Sequence, residues 1–470
     1  MSPMRKSGIS VMLAALWLCA PGWLSAQTFT TLLNFNYTNG ANPYFMSLVQ
    51  GTDGNLYGTT EGGGANGAGT VFKVTPTGEL TTLYSFCAKT NCADGSVPFG
   101  GLVLGTDGNF YGTTSEGGIS SDPCGGDCGT IFKITPAGKL TTLHMFDSTD
   151  GYATPFGPLV QAINGDFYGT TQSGTVYSIT PGGMFTTVLA DGAGGYALIQ
   201  ATNGIFYGTG GGGPDGVVFS VTSRGKLTTL HSFDGGTDGS YPFGPLVQAS
   251  NGNFYGTTSQ GGPNDSCNSQ PPIFIGCGMV FEITPEGTLT TLKNFDSSDG
   301  EYPNGSMIQA TNGKFYGTSV YGGAPGPCYI SCGTIFSITS EGTLTTVHSF
   351  DATDGENPSG GLVQATNGTF YGTAFQGGTN DAGTIFSLSL GLGPFVKTLP
   401  TSGAVGMAVN ILGTSLTGAT SVTFNGTAAK FTVAASSLIT TTVPMGATTG
   451  EVKVATPSGA LSSDVSFRVP

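Results

Sequence analysis

One short string recurs along most of this chain. Tyr-Gly-Thr occurs seven times, beginning at Tyr57, Tyr111, Tyr168, Tyr207, Tyr255, Tyr316 and Tyr371, at intervals of 39 to 61 residues. An Asn-Gly or Asp-Gly pair precedes every copy. Such pairs are the strongest short-range signal for a β-hairpin, because both residues tolerate positive φ. Self-similarity of this kind indicates a repeat architecture.

Each repeat contains four predicted strands. We label them A (Leu-Val-Gln), B (Phe-Tyr-Gly-Thr), C (Thr-Ile-Phe) and D (Leu-Thr-Thr-Leu). Four short strands per unit predict the blades of a β-propeller. Strand B carries adjacent large residues, such as Phe110 and Tyr111, which point to opposite faces of a sheet. Both can be buried only if another sheet packs on each side.

The two ends of the repeat array are complementary. Residues 29–35 read as a D strand without A, B or C before it, and residues 384–386 read as a C strand without a D strand after it. If the first completes the last, one exposed sheet edge is removed and the ring is joined. We therefore predict an all-β fold, a seven-bladed β-propeller closed by the N-terminal strand. An open solenoid is the alternative, although it does not need matched half-blades.

The recurring strings resemble a known family. Asp/Asn-Gly-x-Phe-Tyr-Gly-Thr-Thr, Gly-Thr-Val-Phe-Lys-Ile-Thr and Leu-Thr-Thr-Leu-His-Ser-Phe are similar to the bacterial GloVer repeat, found in choice-of-anchor tandem repeat GloVer-containing proteins. The resemblance covers residues 28–391. The resemblance implies an exported protein without an established activity, often with an interchangeable C-terminal anchor. This chain departs from that pattern, because we expect no obvious C-terminal anchor.

The pattern changes at about Leu392. Residues 409–413, 422–426, 439–444 and 452–454 form alternating runs separated by Gly, Pro and Asn-Gly turns, which predicts a small β-sandwich. The segment resembles the IPT/TIG immunoglobulin-like family, which implies a spacer or interaction module. We thus expect a propeller over residues 27–391 and an immunoglobulin-like domain over residues 392–470.

The N-terminal segment has the features of a signal peptide. Arg5 and Lys6 precede an apolar stretch over residues 9–20, and Leu24-Ser25-Ala26 offers a cleavage site. We predict a signal peptide over residues 1–26 and a secreted, periplasmic or cell-surface location. Lipidation at Cys19 is the alternative. No later apolar run is long enough to span a membrane.

The remaining cysteines occur as close pairs. They are Cys87 and Cys92, Cys124 and Cys128, Cys267 and Cys277, and Cys328 and Cys332. An even number of cysteines in an exported chain predicts disulfides, here between near neighbours. A zinc site is the alternative, but no histidine lies near any pair.

Net charge limits the possible partners. The formal charge is −14, with only 14 lysines and arginines. Because no basic run is present to neutralise phosphates, we expect no nucleic-acid partner.

The predicted loops are unequal on the two faces of the propeller. The D-to-A and B-to-C loops share one face, are long and variable, and contain all four cysteine pairs, whereas the other turns are short. Binding residues concentrate on such loops. Candidate ligand-binding residues are Phe274, Ile275, Tyr329 and Ile330, whose apolar side chains would suit a sugar ring or a protein hot spot. Alternatively, they cover the blade below.

Catalytic candidates are few. His144, His231 and His348 occupy one D-strand position, filled elsewhere by Tyr84 and Lys293, which indicates scaffold rather than a Ser-His-Asp site. Glu61 and Glu116 begin B-to-C loops of neighbouring blades. Two carboxylates about 5–9 Å apart can support glycoside hydrolysis. Gln172, Gln260 and Gln376 stand there in other repeats, which favours a hydrogen-bonding position instead.

A Phe-Asp-x-x-Asp-Gly motif also recurs. Its carboxylates, as calcium candidates, are Asp147, Asp150, Asp296, Asp299, Asp351 and Asp354. The spacing lacks the acidic pattern of an EF-hand, and turn formation explains the Asp-Gly pairs without metal. We expect no cofactor, with calcium as the alternative.

These observations lead to three functional hypotheses. The first is an exported, non-catalytic binding or cell-surface module that engages a glycan or an extracellular protein through the loop-rich face. The second is a polysaccharide-active enzyme that uses Glu61 and Glu116. The third is a structural surface or assembly protein.

Overall fold

The computed structural model describes residues 27–118, 128–147, 150, 154–190, 192, 195–263, 267, 276–328 and 331–470. The expected signal peptide lies outside these ranges. The described residues contain no α-helix, and a 3-10 turn spans Thr90–Cys92. No helix in this part of the chain is long and apolar enough to cross a membrane. The protein is all-β, as predicted.

The repeat region contributes the first 29 strands. In chain order they are β1 (Thr28–Asn34), β2 (Val49–Gln50), β3 (Leu56–Thr60), β4 (Thr70–Val74), β5 (Leu80–Ser85), β6 (Ser96–Pro98), β7 (Val103–Leu104), β8 (Phe110–Glu116), β9 (Thr130–Ile134), β10 (Leu140–Met145), β11 (Pro155–Gln161), β12 (Phe167–Thr171), β13 (Val176–Ile179), β14 (Phe185–Leu189), β15 (Gly195–Gln200), β16 (Phe206–Gly210), β17 (Val217–Val221), β18 (Leu227–Ser232), β19 (Val247–Gln248), β20 (Phe254–Thr258), β21 (Met279–Ile283), β22 (Leu289–Asn294), β23 (Ile308–Gln309), β24 (Phe315–Ser319), β25 (Thr334–Ile338), β26 (Leu344–Ser349), β27 (Val363–Gln364), β28 (Phe370–Ala374) and β29 (Thr384–Ser389).

These strands form antiparallel sheets, mostly four-stranded, in the order in which they follow in the chain. The sheets are β2-β3-β4-β5, β11-β12-β13-β14, β15-β16-β17-β18, β19-β20-β21-β22 and β23-β24-β25-β26, with a five-stranded sheet in which β6 and β7 both pair with β8, followed by β9 and β10. The last sheet has the order β27-β28-β29-β1. Each sheet therefore corresponds to one predicted set of A, B, C and D strands.

The first strand completes the last sheet. β1 pairs antiparallel with β29, from Thr28 opposite Ser389 to Asn34 opposite Thr384. The Phe29 ring stacks on the Phe386 ring at 5.2 Å, and Phe386 is fully buried. The predicted pairing of the two ends is confirmed, and β29 has no free edge.

Aromatic stacking joins neighbouring sheets. In six junctions the repeat tyrosine packs against the phenylalanine that begins the next B strand, stacked in four pairs and tilted in Tyr168–Phe206 and Tyr316–Phe370. The centroid distances are 3.8–4.6 Å, in the pairs Tyr57–Phe110, Tyr111–Phe167, Tyr168–Phe206, Tyr207–Phe254, Tyr255–Phe315 and Tyr316–Phe370. At the seventh junction Tyr371 packs in one cluster with Leu56. Adjacent large residues on one strand are thus buried between two different sheets, as the sequence predicted.

Glutamines add a second set of links at the inner strands. Each Gln Oε1 accepts a backbone N–H from the preceding sheet at 2.8–3.2 Å, in the pairs Gln161–Thr106, Gln200–Ile163, Gln248–Thr202, Gln309–Ser250, Gln364–Thr311 and Gln50–Thr366. The last pair joins the final sheet to the first. Leu104 occupies the seventh position.

The C-terminal segment forms two further sheets. Its strands are β30 (Lys397–Leu399), β31 (Ala408–Leu412), β32 (Ser421–Phe424), β33 (Thr427–Ala429), β34 (Phe431–Ala435), β35 (Leu438–Thr442), β36 (Val452–Thr456) and β37 (Gly459–Ser462). The sheet orders are β30-β31-β35-β34 and β33-β32-β36-β37. Buried residues from both sheets, including Ile411, Ile439, Phe424 and Val452, share one core.

This segment rests on the repeat region where the glutamine links are interrupted. Leu412 packs in one cluster with Leu104, the residue that replaces glutamine. The Ser437 hydroxyl donates to the Thr52 carbonyl at 2.7 Å. An apolar contact thus covers the one sheet junction that lacks the Gln hydrogen bond.

Candidate functional site

Five aromatic rings surround the centre of the loop-rich face. They belong to Phe45, Phe99, Phe156, Tyr196 and Phe243, one from each of five consecutive repeats, and we call them the aromatic collar. Successive centroids are 5.5, 4.8, 5.5 and 4.7 Å apart, and Phe45 and Phe243 lie 6.5 Å apart. The five aromatic side chains therefore form a closed circle of contacts. Asn304 and Ser359 occupy the same position in the remaining two repeats.

A proline positions the collar in most repeats. Pro98, directly before Phe99, packs against the start of the C strand in the preceding sheet, where a Cβ on Gly69 would lie only 2.5 Å from Pro98 Cδ. Gly69 also has a φ of +92°, a conformation that glycine adopts without steric cost. The glycine that precedes most C strands thus makes room for the proline of the next repeat.

A small cavity lies inside the collar. It encloses about 170 Å³ and is lined by the collar together with small and polar residues at or just before the inner strands, namely Ser47, Gly101, Gly157, Asn304, Ser306 and Ser359. All seven repeats contribute residues to its wall, so the repeats surround it. Most of the lining is apolar, with a few convergent polar groups, which is typical of a ligand site.

Asn304 is the unusual member of this wall. Its side chain is only 4% exposed, and its Oδ1 atom has no hydrogen-bond partner among the described residues. Burying an unpaired acceptor costs about 1–3 kcal/mol. A ligand group that donates a hydrogen bond to this oxygen would recover that free energy.

Tyrosines extend the aromatic surface outward from the collar. The Tyr44 ring lies 4.7 Å from Phe375, and the Tyr302 ring lies 6.2 Å from Tyr321. Burial raises the pKa of Tyr44 to about 12, helped by the neighbouring Tyr302, Glu61 and Tyr321 groups. Because Tyr302 and Tyr321 belong to the sixth repeat and Tyr44 to the first, these groups face a common space.

Two carboxylates near these tyrosines, Glu61 beside Tyr44 and Glu356 beside Tyr321, lack a cationic partner among the described residues. Burial, and then the charge of Glu116, raises the pKa of Glu61. Burial, and then the charge of Asp381, raises the pKa of Glu356. Within the described ranges neither residue forms an ion pair, and the ion pairs that occur there involve other residues. The tyrosine-lined rim outside the collar therefore carries uncompensated negative charge.

The sequence predicted that Glu61 and Glu116 occupy equivalent positions. This prediction was wrong, because Glu61 lies one strand position earlier in its repeat than Glu116 does. The Glu61 N–H donates to the Asn42 carbonyl, as the Gln172 N–H donates to Thr154. Glu116 instead pairs with Ser96, as Gln260 pairs with Ser240 and Gln376 with Glu356. Glu61 follows its strand B threonine directly, whereas Ser115 intervenes before Glu116. Adjacent strand positions point to opposite sides, so Glu61 is half-buried and Glu116 is exposed.

The histidines pair with the recurring aspartates. His144–Asp150, His231–Asp238 and His348–Asp354 have N–O distances of 2.7–2.8 Å, and Lys293–Asp299 and Tyr84–Asp94 are equivalent pairs. In the repeat that begins with β1, Leu33 occupies the histidine position and Asn39 occupies the aspartate position. The two partners of the pair are therefore both replaced in this repeat. These pairs support the interpretation of the histidines as scaffold.

The calcium candidates are held within their own turns. The Asp147, Asp296 and Asp351 N–H groups donate to Asp150, Asp299 and Asp354, respectively. No group of three or more His, Cys, Asp or Glu suited to a metal occurs among the described residues. The expectation of no cofactor, with calcium as the alternative, stays a prediction.

Disulfides cross-link the loops of the loop-rich face, as expected. Cys87–Cys92, Cys267–Cys277 and Cys328–Cys332 are bonded. Cys128 is also disulfide-bonded, whereas Cys124 lies outside the described residues. Disulfides of this kind fit an extracellular protein.

The predicted ligand-binding residues Phe274, Ile275, Tyr329 and Ile330 lie outside the described residues, and their role stays a prediction.

The sequence analysis did not predict the aromatic collar. The signal was the residue after the loop proline, in Pro-Phe-Gly at 98–100, 155–157 and 242–244. An aromatic residue at a fixed position in successive repeats predicts a ring at the axis once the sheets are arranged around it.

The sheets and their stacking define a propeller-like repeat protein. The chain matches the Gloeobacter/Verrucomicrobia repeat over residues 23–209, 125–270 and 196–440, and therefore belongs to that family. No curated protein sequence is similar enough to count as a relative.

Solved structures support the same fold class. A catalytically inactive virginiamycin B lyase from Staphylococcus aureus, determined with quinupristin, is 14% identical with a TM-score of 0.53, covering 77% of this chain and 99% of that one. The extracellular domain of a hybrid two-component system from B. thetaiotaomicron is 13% identical with a TM-score of 0.50, covering 94% of this chain and 58% of that one. At these identities the likeness concerns the fold alone.

Proposed function

We propose that this chain is an exported, non-catalytic binding module that engages a glycan through its loop-rich face. In this proposal the seven sheets of the repeat region are the blades of one closed propeller. Residues 392–470 form an immunoglobulin-like domain of the IPT/TIG type, and residues 1–26 direct export. The observation that carries the proposal is the aromatic collar around an axial cavity.

The collar has the properties that sugar binding requires. Aromatic side chains present large apolar surfaces, which suit the C–H faces of a sugar ring or a protein hot spot. Contacts with neighbouring rings hold each ring in place, so little side-chain entropy is lost when a ligand binds. The small volume of the cavity, about 170 Å³, favours insertion of a compact group over an extended protein surface.

Collar substitutions test the proposal directly. We expect the wild-type chain to bind at least one glycan class on an array, and Phe99→Ala and Phe156→Ala each to weaken that binding about ten-fold, or ~1.4 kcal/mol, in titration calorimetry. Met184→Ala is the matched control, because Met184 is 69% exposed and lies in a C-to-D turn on the opposite face. A paired Phe274→Ala and Tyr329→Ala variant measures what the stapled loops contribute.

Two outcomes would refute this assignment. Glycan affinity that is unchanged in both collar variants would remove the recess as the site. Failure to bind any glycan, together with specific retention of an extracellular protein, would favour the protein-binding hypothesis instead.

A polysaccharide-active enzyme is the second candidate. The observation in its favour is that burial and the charge of Glu116 raise the pKa of Glu61, the kind of change that prepares a carboxyl group to act as a general acid. Activity on a polysaccharide that is lost in both Glu61→Gln and Glu116→Gln would favour this candidate over the binding module.

A further inference from the structure

We infer that the axial recess recognises a glycan that carries free amino groups, with a protonated sugar amine placed among the collar, Asn304 and the two rim carboxylates. This inference rests on the proposed glycan-binding function. It specifies the chemical class of the ligand.

The first reason is the type of hydrogen-bonding group in the wall. Asn304 Oδ1 is buried and lacks a partner within the described structure, and it can only accept hydrogen bonds. The group that satisfies it must be a donor. A sugar hydroxyl and a sugar ammonium both donate, so this atom alone does not choose between them.

The second reason is charge, which does choose between them. Glu61 lies near Tyr44, whose ring is 4.3 Å from Phe45 of the collar, and Glu356 lies near Tyr321, whose ring is 6.2 Å from Tyr302. Both carboxylates are half-buried, and neither has a cationic partner in the described residues. Half-buried carboxylates are stabilised when a cation approaches them. An anionic glycan would be repelled, and a neutral glycan would leave both charges uncompensated.

The third reason is the aromatic wall. Phenylalanine and tyrosine faces attract a cation placed within about 6 Å of the ring centroid. The same faces stack on the apolar side of a sugar. An amino sugar offers both features in one ring, whereas a neutral sugar offers only the second.

The experiment compares matched ligands on the full-length exported chain. Titration calorimetry would use hexamers of β-1,4-linked glucosamine, β-1,4-linked N-acetylglucosamine and β-1,4-linked glucose, together with spermidine and a lysine-rich peptide as other sources of amines. We expect the glucosamine hexamer to bind at least ten-fold more tightly than the other two hexamers and than either non-sugar amine.

Variants then assign that preference to the recess. Glu356→Gln and Glu61→Gln should each reduce the preference for the glucosamine hexamer several-fold, and Asn304→Leu should weaken its binding. Glu79→Gln is the control, since it removes the same charge from an exposed turn on the opposite face. Because Asn304→Leu alters a buried position, a thermal melt checks its folding, and the two isosteric Glu→Gln variants keep the test valid if it unfolds.

The outcomes separate this inference from the proposed function. Equal affinity for all three hexamers, with loss in the collar variants, would overturn the amine inference and leave glycan binding intact. Spermidine or the peptide binding as tightly as the glucosamine hexamer would also overturn it. No binding of any glycan on the array would refute both. A preference for amines that persists unchanged in Glu61→Gln and Glu356→Gln would place the site elsewhere and overturn the inference.

Discussion

Deletion of residues 27–35 is expected to abolish soluble, folded protein. The deletion removes β1, so β29 loses its partner from Thr384 to Ser389. An unpaired strand of this kind is a template for aggregation. It also removes the Phe29 ring from the fully buried Phe386, and the residues of the last sheet core become exposed. Size-exclusion chromatography and circular dichroism of the purified chain would measure the loss.

A synthetic peptide supplies the control for this deletion. If β1 acts only by completing the last sheet, a peptide of residues 27–35 added during refolding should restore soluble protein. Thr30→Ser in the intact chain should have little effect, because Thr30 is exposed. Normal folding of the deleted chain without the peptide would show that the sheet order at β29 is not needed.

Tyr111→Ala is expected to cause a large loss of stability in an otherwise intact chain. Tyr111 is fully buried, stacks on Phe167 at 3.8 Å and donates from its hydroxyl to Asp107 at 2.8 Å. Removal of a buried aromatic ring costs about 3–5 kcal/mol. Denaturant unfolding followed by fluorescence would measure the change in the free energy of unfolding.

Tyr111→Phe separates the ring from the hydroxyl. It keeps the stacking between sheets and removes one hydrogen bond, so we expect a loss of about 1 kcal/mol. Tyr241→Ala is the control for truncation of a tyrosine, because Tyr241 is 37% exposed. A Tyr111→Ala loss no larger than that of Tyr241→Ala would mean that the stacked rings do not hold neighbouring sheets together.

The features that the sequence predicted correctly are those determined by residues within a single repeat. Strands, turns and nearby cysteine pairs depend on residues close together in the chain, and seven copies reinforce each local signal. The pairing of β1 with β29 was also predictable, because a D strand without a sheet and a sheet without a D strand are complementary.

The features that the sequence did not reveal arise between repeats. Phe45 and Phe243 are nearly 200 residues apart in the chain yet lie 6.5 Å apart in the collar. The Gln50–Thr366 hydrogen bond likewise joins distant residues. The misalignment of Glu61 with Glu116 has a local cause. Both residues precede a Gly-Gly pair, but the first repeat has no residue between Thr60 and Glu61 that corresponds to Ser115. Strand hydrogen bonds, rather than sequence position, define equivalence there.

In the proposed propeller, the repeat region is a closed ring, and the loops of one face meet around an axial recess. Hydrogen exchange of the β1 amides that donate to β29, and of the Phe35 N–H, which bonds to Gly383, tests this arrangement most directly. Closure predicts that these amides exchange as slowly as those of β29, since both strands then open only with the sheet. Exchange of β1 at the rate of a free chain terminus would contradict it.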